Sequence, residues 1–461
     1  MRKLIGDKAF YKMVLLVAVP IMVQNGITNF VSLLDNIMVG RVGTEQMSGV
    51  AIANQLLFVF NLAVFGAISG AGIFGAQFYG SQDYEGVRQA MRYKLYICIL
   101  LLAICYILIF LKGEALISLF LTDTDASGNI AITLQEGQKY LRVMLIGLVP
   151  FIISQCYSST LRESGETMLP MKAGIIAVFV NLVFNYILIF GNFGAPALGV
   201  EGAAIATVIS RFVETGVIVV VAHRRQDQYR FLTGLYSSPK ISWQLVKRIT
   251  MKGTPLMLNE LLWSLGLSTI MQSYSLRGLS AIAALNINST VFNLFNTVYM
   301  ALGNSISIIV GQQLGAGERE KARDTDYKLI FFAVCLTAVV GVVAALIAPL
   351  IPMIYNTSDE VRDLAASLIR VSALCMPLAC FVQTSYFTLR SGGKTVLTFL
   401  FDCAYVWVIS IPVAFVLARY TQLPIVSLYL TIQLLDAIKA IVGFILVKKG
   451  IWIHNIVGKE D

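Results

Sequence analysis

Apolar stretches of twenty residues or more follow one another through almost the whole chain, from 13–38 near the start to 423–447 near the end. A helix needs about 20 apolar residues to cross the hydrocarbon core of a bilayer. Within lipid no water satisfies backbone N–H and C=O groups, so such stretches must fold as helices or as a closed barrel. Twelve segments of this kind are legible here, each too long for a barrel strand. The chain of 461 residues is 57% hydrophobic and only 13% charged, against about 25% charged in soluble domains. That balance excludes a soluble enzyme, a nucleic-acid-binding protein and any sizeable domain outside the membrane. The bilayer is the one macroscopic partner expected.

Few residues could carry covalent or metal chemistry. The two histidines, His223 and His454, flank apolar segments, and the seven cysteines form no CxxC pair. A zinc centre or a disulfide framework is therefore not expected. No phosphate-binding glycine loop, HExxH or GxSxG motif stands in its required context. Neither an enzyme nor an ATP-driven pump is expected of this chain, and no cofactor beyond a coupling ion. The first apolar segment follows MRKLIGDKAFYKM with no small-residue cleavage site, as in an uncleaved span.

Basic residues set the expected orientation. Of the 35 Lys and Arg, 25 lie on the side of the N-terminus and eight on the other. Loops of the second side lean acidic, as in LTDTDASGN and NTSDE. The positive-inside rule puts both termini in the cytoplasm of a plasma-membrane protein.

The two halves repeat. GAQFYGSQDYEGVR at 75–88 matches VGQQLGAGEREKAR at 310–323, and the same offset sets Pro20 on Pro255. Further on, QCYSSTLRESGET at 155–167 matches QTSYFTLRSGGKT at 383–395, with Arg162 on Arg390. An even number of spans per copy gives both copies the same orientation, the arrangement of parallel-repeat secondary transporters. The expected fold is an all-α integral membrane protein of twelve transmembrane helices in two pseudo-symmetric six-helix bundles. The N-lobe would span 1–222, a polar linker 223–243 and the C-lobe 244–461. A V-shaped cavity should open between the lobes, and a single-chain monomer suffices to build it.

On these residues the chain resembles the multidrug and toxic compound extrusion (MATE) family over essentially its full length. The resemblance rests on VPIMVQNGITNFVSLLDNIMVG, GAQFYG with its second copy VGQQLGAGE, STLRESGET, and NLVFNYILIFG…GVEGAAIAT. It implies a cation-coupled antiporter exporting organic, often cationic, compounds in exchange for protons or sodium ions. A related possibility is a flippase of lipid-linked oligosaccharides. That function would favour mid-membrane arginines in the first spans, and the first three spans have none.

Ionisable groups inside spans cost roughly 2.5–3.5 kcal/mol on insertion scales and call for a function. Asp35 lies in the first span. Asn181 and Asn185 sit four apart on one helical face, and Thr207 adds a hydroxyl. One carboxylate with three neutral oxygens is a hard-cation ligand set in kind, fit for Na+; the same carboxylate could carry a proton. The resemblance places Asp35, Asn181, Asn185 and Thr207, with the backbone of Ala203, at the family's N-lobe cation site. Some relatives carry a second Asp where this chain has Asn185, which shifts the weight toward protons. Glu260 in span seven and Asp402 at the start of span eleven are candidates for C-lobe coupling or substrate contact. Arg211 and Lys439, which the repeat superposes, are candidates for charge compensation. Ion pairs of Arg211 with Glu214 and of Lys439 with Asp436 are the spacing-based default.

Overall fold

The computed structural model describes residues 4–118, 130–355 and 357–458, without the side chains of 31–33, 36–37 and 44–45. The acidic stretch LTDTDASGN, 121–129, lies outside the described residues. Among the described residues twelve long helices run in chain order: α1 Lys8–Gly40, α2 Thr44–Gly80, α3 Tyr84–Ser118, α4 Ile130–Glu163, α5 Met168–Phe190 and α6 Gly199–Arg224. After a polar connection come α7 Trp243–Ser275, α8 Leu279–Gly315, α9 Arg319–Ile347 and α10 Asp359–Ser391. The last two are α11, Thr395–Tyr420, and α12, Ile425–Lys449. The expected all-helical membrane fold is present, and no strand occurs among the described residues.

Eleven of these helices are both long and apolar enough to cross a membrane. The twelfth, α7, has the length, 33 residues, but Asn259, Glu260, Ser264, Ser268 and Thr269 dilute its apolar stretch. Polar side chains there must find partners inside the protein. Large apolar side chains such as Phe110, Leu346 and Val408 are more than two-thirds exposed, as on helices solvated by lipid rather than water.

The chain clusters into two compact units. One comprises Met1–Met22, Ala76–Gln82 and Met251–Asp461; the other comprises Val23–Gly75 and Asp83–Thr250. These limits depart from the expected 1–222 and 244–461 lobes in specific places. The start of α1 joins the first unit because Val14, Val17, Ala18 and Ile21 are buried with Tyr299, Leu302, Leu329 and Phe387. The connection expected as a linker, 223–243, joins the second unit. There the Arg92 guanidinium donates to the carbonyls of Leu235 (2.8 Å), Gly234 (3.0 Å) and Lys240 (3.2 Å), and Phe231, Leu232 and Leu235 are buried. Burial, and then its hydrogen bond to Glu166, push the nearby Tyr229 phenol up to about 12.

The repeated GAQFYG and VGQQLG motifs explain the third departure, the end of α2. A Cβ on Gly80 would sit 1.9 Å from the Gln312 carbonyl oxygen, and one on Gly315 would sit 1.9 Å from that of Gln77. The two helices cross backbone to backbone, which only glycine permits. Gln77, fully buried, then fastens the C-terminal segment. Its amide donates to the carbonyls of Ser391 (3.0 Å) and His454 (3.2 Å) and accepts from the Ile456 N–H (2.8 Å).

Candidate functional site

In the second unit, α5 and α6 bring the expected residues into one hydrogen-bonded row. The Thr207 hydroxyl donates to the Ala203 carbonyl (3.0 Å), and the Asn181 amide donates to Thr207 Oγ1 (3.3 Å). Asn185 Nδ2 donates to Asn181 Oδ1 (3.0 Å) and to Asp35 Oδ1 on α1 (2.5 Å). All five positions marked in the sequence therefore meet. Asn185 Oδ1 is buried with no partner among the described residues.

An orphaned buried carbonyl costs roughly 1–3 kcal/mol and asks for a water or an ion. Carboxylate, two amides, a hydroxyl and a backbone carbonyl are all oxygen donors, as Na+ prefers. The NH2 groups of the two amides face the carboxylate and the neighbouring hydroxyl and amide oxygens. Turning both amides over would present their oxygens together. Beside the row, a cavity of about 40 Å³ is lined by Asn61, Met144, Phe151, Thr207 and Arg211 among others, room for a water molecule. Arg211 pairs with Glu214 at 3.0 Å, as its spacing predicts, and lies over the Phe151 ring at 5.3 Å.

The first unit holds a second polar cluster. Tyr386 on α10 donates its hydroxyl to Glu260 Oε1 (3.2 Å). Asn259 Nδ2 donates to Asp402 Oδ2 (3.1 Å) and toward the Tyr386 oxygen (3.5 Å). Lys439 Nζ meets Asp402 Oδ1 at 2.7 Å. The spacing-based pairing of Lys439 with Asp436 is thus replaced by a pairing with Asp402 on α11. Lys439 is buried against Phe401 and Tyr405, 5.6 Å from each ring centroid, and Asp402 is the carboxylate on that same wall.

Local backbone positions Asp402. Leu400–Ala404 and Val406–Ser410 are π-helical. Pro412 lacks an N–H and obstructs the carbonyl four residues back, and wide turns of this kind cluster at functional sites. The Asp402 side chain is only 13% exposed.

Two contributors were not expected from the sequence. Asn259 bridges Glu260 and Asp402 through Tyr386 and its own amide, and Asn259 Oδ1 is again buried without a partner among the described residues. Arg162 donates to Gln24 Oε1 at 2.6 Å. The first repeat offset superposes Gln24 on Asn259, the signal that could have found both. Each unit therefore carries a carboxylate held by a buried Asn whose carbonyl oxygen is left over. Among the described residues no group of three or more His, Cys, Asp or Glu could hold a metal ion.

Two helical units, each with half-buried carboxylates wrapped in amides and hydroxyls, define a multi-pass membrane transporter. A family model described as MatE matches residues 20–187 and 255–416. The chain belongs to the MatE family. It is 26% identical over 413 residues to the probable multidrug resistance protein NorM of Thermotoga maritima, covering 90% of this chain and 87% of that one. It is 25% identical over 414 residues to the multidrug resistance protein MdtK of Yersinia pseudotuberculosis, covering 87% and 86%. Among solved structures, the crystal structure of MATE in complex with MaL6 superposes with a TM-score of 0.84 at 20% identity, covering 97% of both chains. A Vibrio cholerae MATE transporter, VcmN, superposes at 0.85 with 17% identity, over 96% and 97%.

Proposed function

We propose that this chain is a secondary antiporter of the plasma membrane, exporting organic, often cationic, compounds in exchange for an inward-moving ion. The observation that carries the reading is the hydrogen-bonded row ending on Asp35, with Asn185 Oδ1 left unpartnered beside it. A carboxylate is unfavourable among apolar helices unless an ion or hydrogen bonds compensate it, and this one has a ready site for an ion. A single carboxylate, with an amide and not a second acid at Asn185, favours a proton as that ion. Relatives named as multidrug resistance proteins support the export of small organic molecules, and none of those described is a flippase. The excess of basic residues on the N-terminal side supports cytoplasmic termini. Ethidium efflux from proteoliposomes under separately imposed proton and sodium gradients tests the reading. Efflux on a proton gradient alone is expected; efflux with neither gradient would end the antiport reading.

Alternating access requires helices that bend. α1 passes from one compact unit to the other between Met22 and Val23, and α7 between Thr250 and Met251. Each carries a proline within about a turn and a half of that point, Pro20 and Pro255, which removes one backbone hydrogen bond. Pro20→Ala should slow turnover about tenfold while equilibrium drug binding stays within twofold. Unchanged turnover would reduce Pro20 to a packing residue.

The cluster in the first unit is the secondary site. Glu260 is held by the Tyr386 hydroxyl, and Asp402 is neutralised by Lys439. Glu260→Gln should therefore lower efflux severalfold without abolishing it, read as initial rates at matched reconstitution. Complete loss in Glu260→Gln would move the coupling ion to this unit.

A further inference from the structure

Asp326 lies seven residues into α9, at the edge of the ninth apolar segment, and is fully buried. Its Oδ1 is 2.6 Å from Thr388 Oγ1 on α10, and its Oδ2 is buried with no partner among the described residues. Neither coupling cluster described above includes it.

The equivalent place in the other unit solves the same problem differently. The repeat superposes Thr388 on Thr160, and α9 on α3. Thr160 Oγ1 accepts from Lys94 Nζ at 3.1 Å, one helical turn from the position equivalent to Asp326, and Lys94 is neutralised by Glu163. Matched threonines thus each face a buried ionisable side chain, of opposite sign. In the first unit the sign is negative, and among the described residues no basic residue answers it.

Charged and titratable neighbours on α8, α9 and α10 are engaged elsewhere. On α10, Arg390 lies over the Phe387 ring at 5.5 Å and Tyr386 serves Glu260. On α8, Tyr299 packs against Phe292. On α9 itself, Arg323 reaches Tyr327 and the Lys448 carbonyl, and Lys328 pairs with Asp324. Among the described residues none makes an ion pair with Asp326.

The hydrogen bonds then indicate what neutralises it. Thr388 Oγ1 is also 3.0 Å from the Thr384 carbonyl, and a hydroxyl has one proton to donate. With that proton on Asp326 Oδ1, Thr388 is the donor of the 2.6 Å contact; with it on the Thr384 carbonyl, the donor is Asp326. A neutral acid donating to a hydroxyl is also far less costly to bury than an unpaired carboxylate.

We propose that Asp326 is a proton-binding site of the first unit, its carboxyl proton directed at Thr388 Oγ1 and exchanged only when α9 and α10 part at this level. Since the carboxyl has no access to water here, its proton occupancy is linked to conformation, and each shifts the other. The role in transport rests on the antiport reading above; the presence of the proton does not.

Infrared spectra of the full-length protein in lipid nanodiscs near neutral pH provide the test. Wild type should show a protonated-carboxyl C=O band that disappears in Asp326→Asn and shifts in Thr388→Val. The band should be the same in sodium chloride and choline chloride. Its loss in sodium alone would mean a sodium ion occupies the site, and would overturn the proposal. So would an identical band in wild type and Asp326→Asn. Asp326→Asn, an isostere that needs no proton, should fold and bind drug, while proton-driven efflux falls at least tenfold and loses part of its pH dependence. A lost band with unaltered efflux would make Asp326 a structural donor and overturn the transport role alone.

Discussion

Asp35→Asn should abolish ion-driven efflux while the protein still inserts, folds and binds drug. Asn185 Nδ2 donates to Asp35 Oδ1, and an asparagine in its place offers an acceptor oxygen at the same point, so the row through Asn181 and Thr207 persists. What disappears is the charge that a proton or sodium ion neutralises. A ligand shifts a two-state equilibrium only through its differential affinity for the states. A permanently neutral residue binds no coupling ion, so the gradient has nothing to act upon. Efflux should fall by two orders of magnitude or more, with equilibrium drug binding within a few-fold of wild type. The variant is held in the state the loaded protein prefers. Wild-type efflux by Asp35→Asn would remove this carboxylate from the coupling mechanism.

Lys94→Met should destabilise the protein more than any of the substitutions above. Lys94 Nζ lies 2.7 and 2.6 Å from the two Glu163 oxygens and also reaches Ser159 and Thr160. Its side chain is fully buried. Removing one partner of a buried pair leaves an uncompensated charge, at about 3–5 kcal/mol. Against a total stability of roughly 5–15 kcal/mol, that loss should sharply lower the yield of folded protein and the melting temperature in detergent. Lys94→Met with Glu163→Gln should recover most of it, because no bare charge remains. If the double variant melts as low as the single one, the two side chains act by packing and not as an ion pair.

Legibility of the fold followed physical scale. Lipid imposes a length and composition on every span, so the helices were readable from hydropathy, α7 least so because Asn259 and Glu260 interrupt it. The repeat was readable because Gly80 and Gly315 face the same steric demand at the helix crossing. The row from Asp35 to Ala203 was readable in part from Asn181 and Asn185 at helical spacing, and in part from the family resemblance. Long-range pairing was not. Lys94 counts among the basic residues of a polar boundary, and its partner is 69 residues away; nothing in either segment announces the other. Lys439 likewise had Asp436 one turn away, but a side chain on α12 chooses by direction and burial, and the wall it faces belongs to α11. The compact units, too, depend on which turn of α1, α2 and α7 packs on which neighbour, a tertiary property that hydropathy does not encode.

If organic compound and ion exchange at Asp35, the exchange should also run backwards. Proteoliposomes with wild-type protein and a pH-sensitive dye, given a drug gradient and no ion gradient, should develop a proton gradient opposed to drug flow. Asp35→Asn liposomes at equal protein content should develop none. Drug movement without any proton or sodium countermovement in wild type, or equal countermovement in both proteins, would contradict the account.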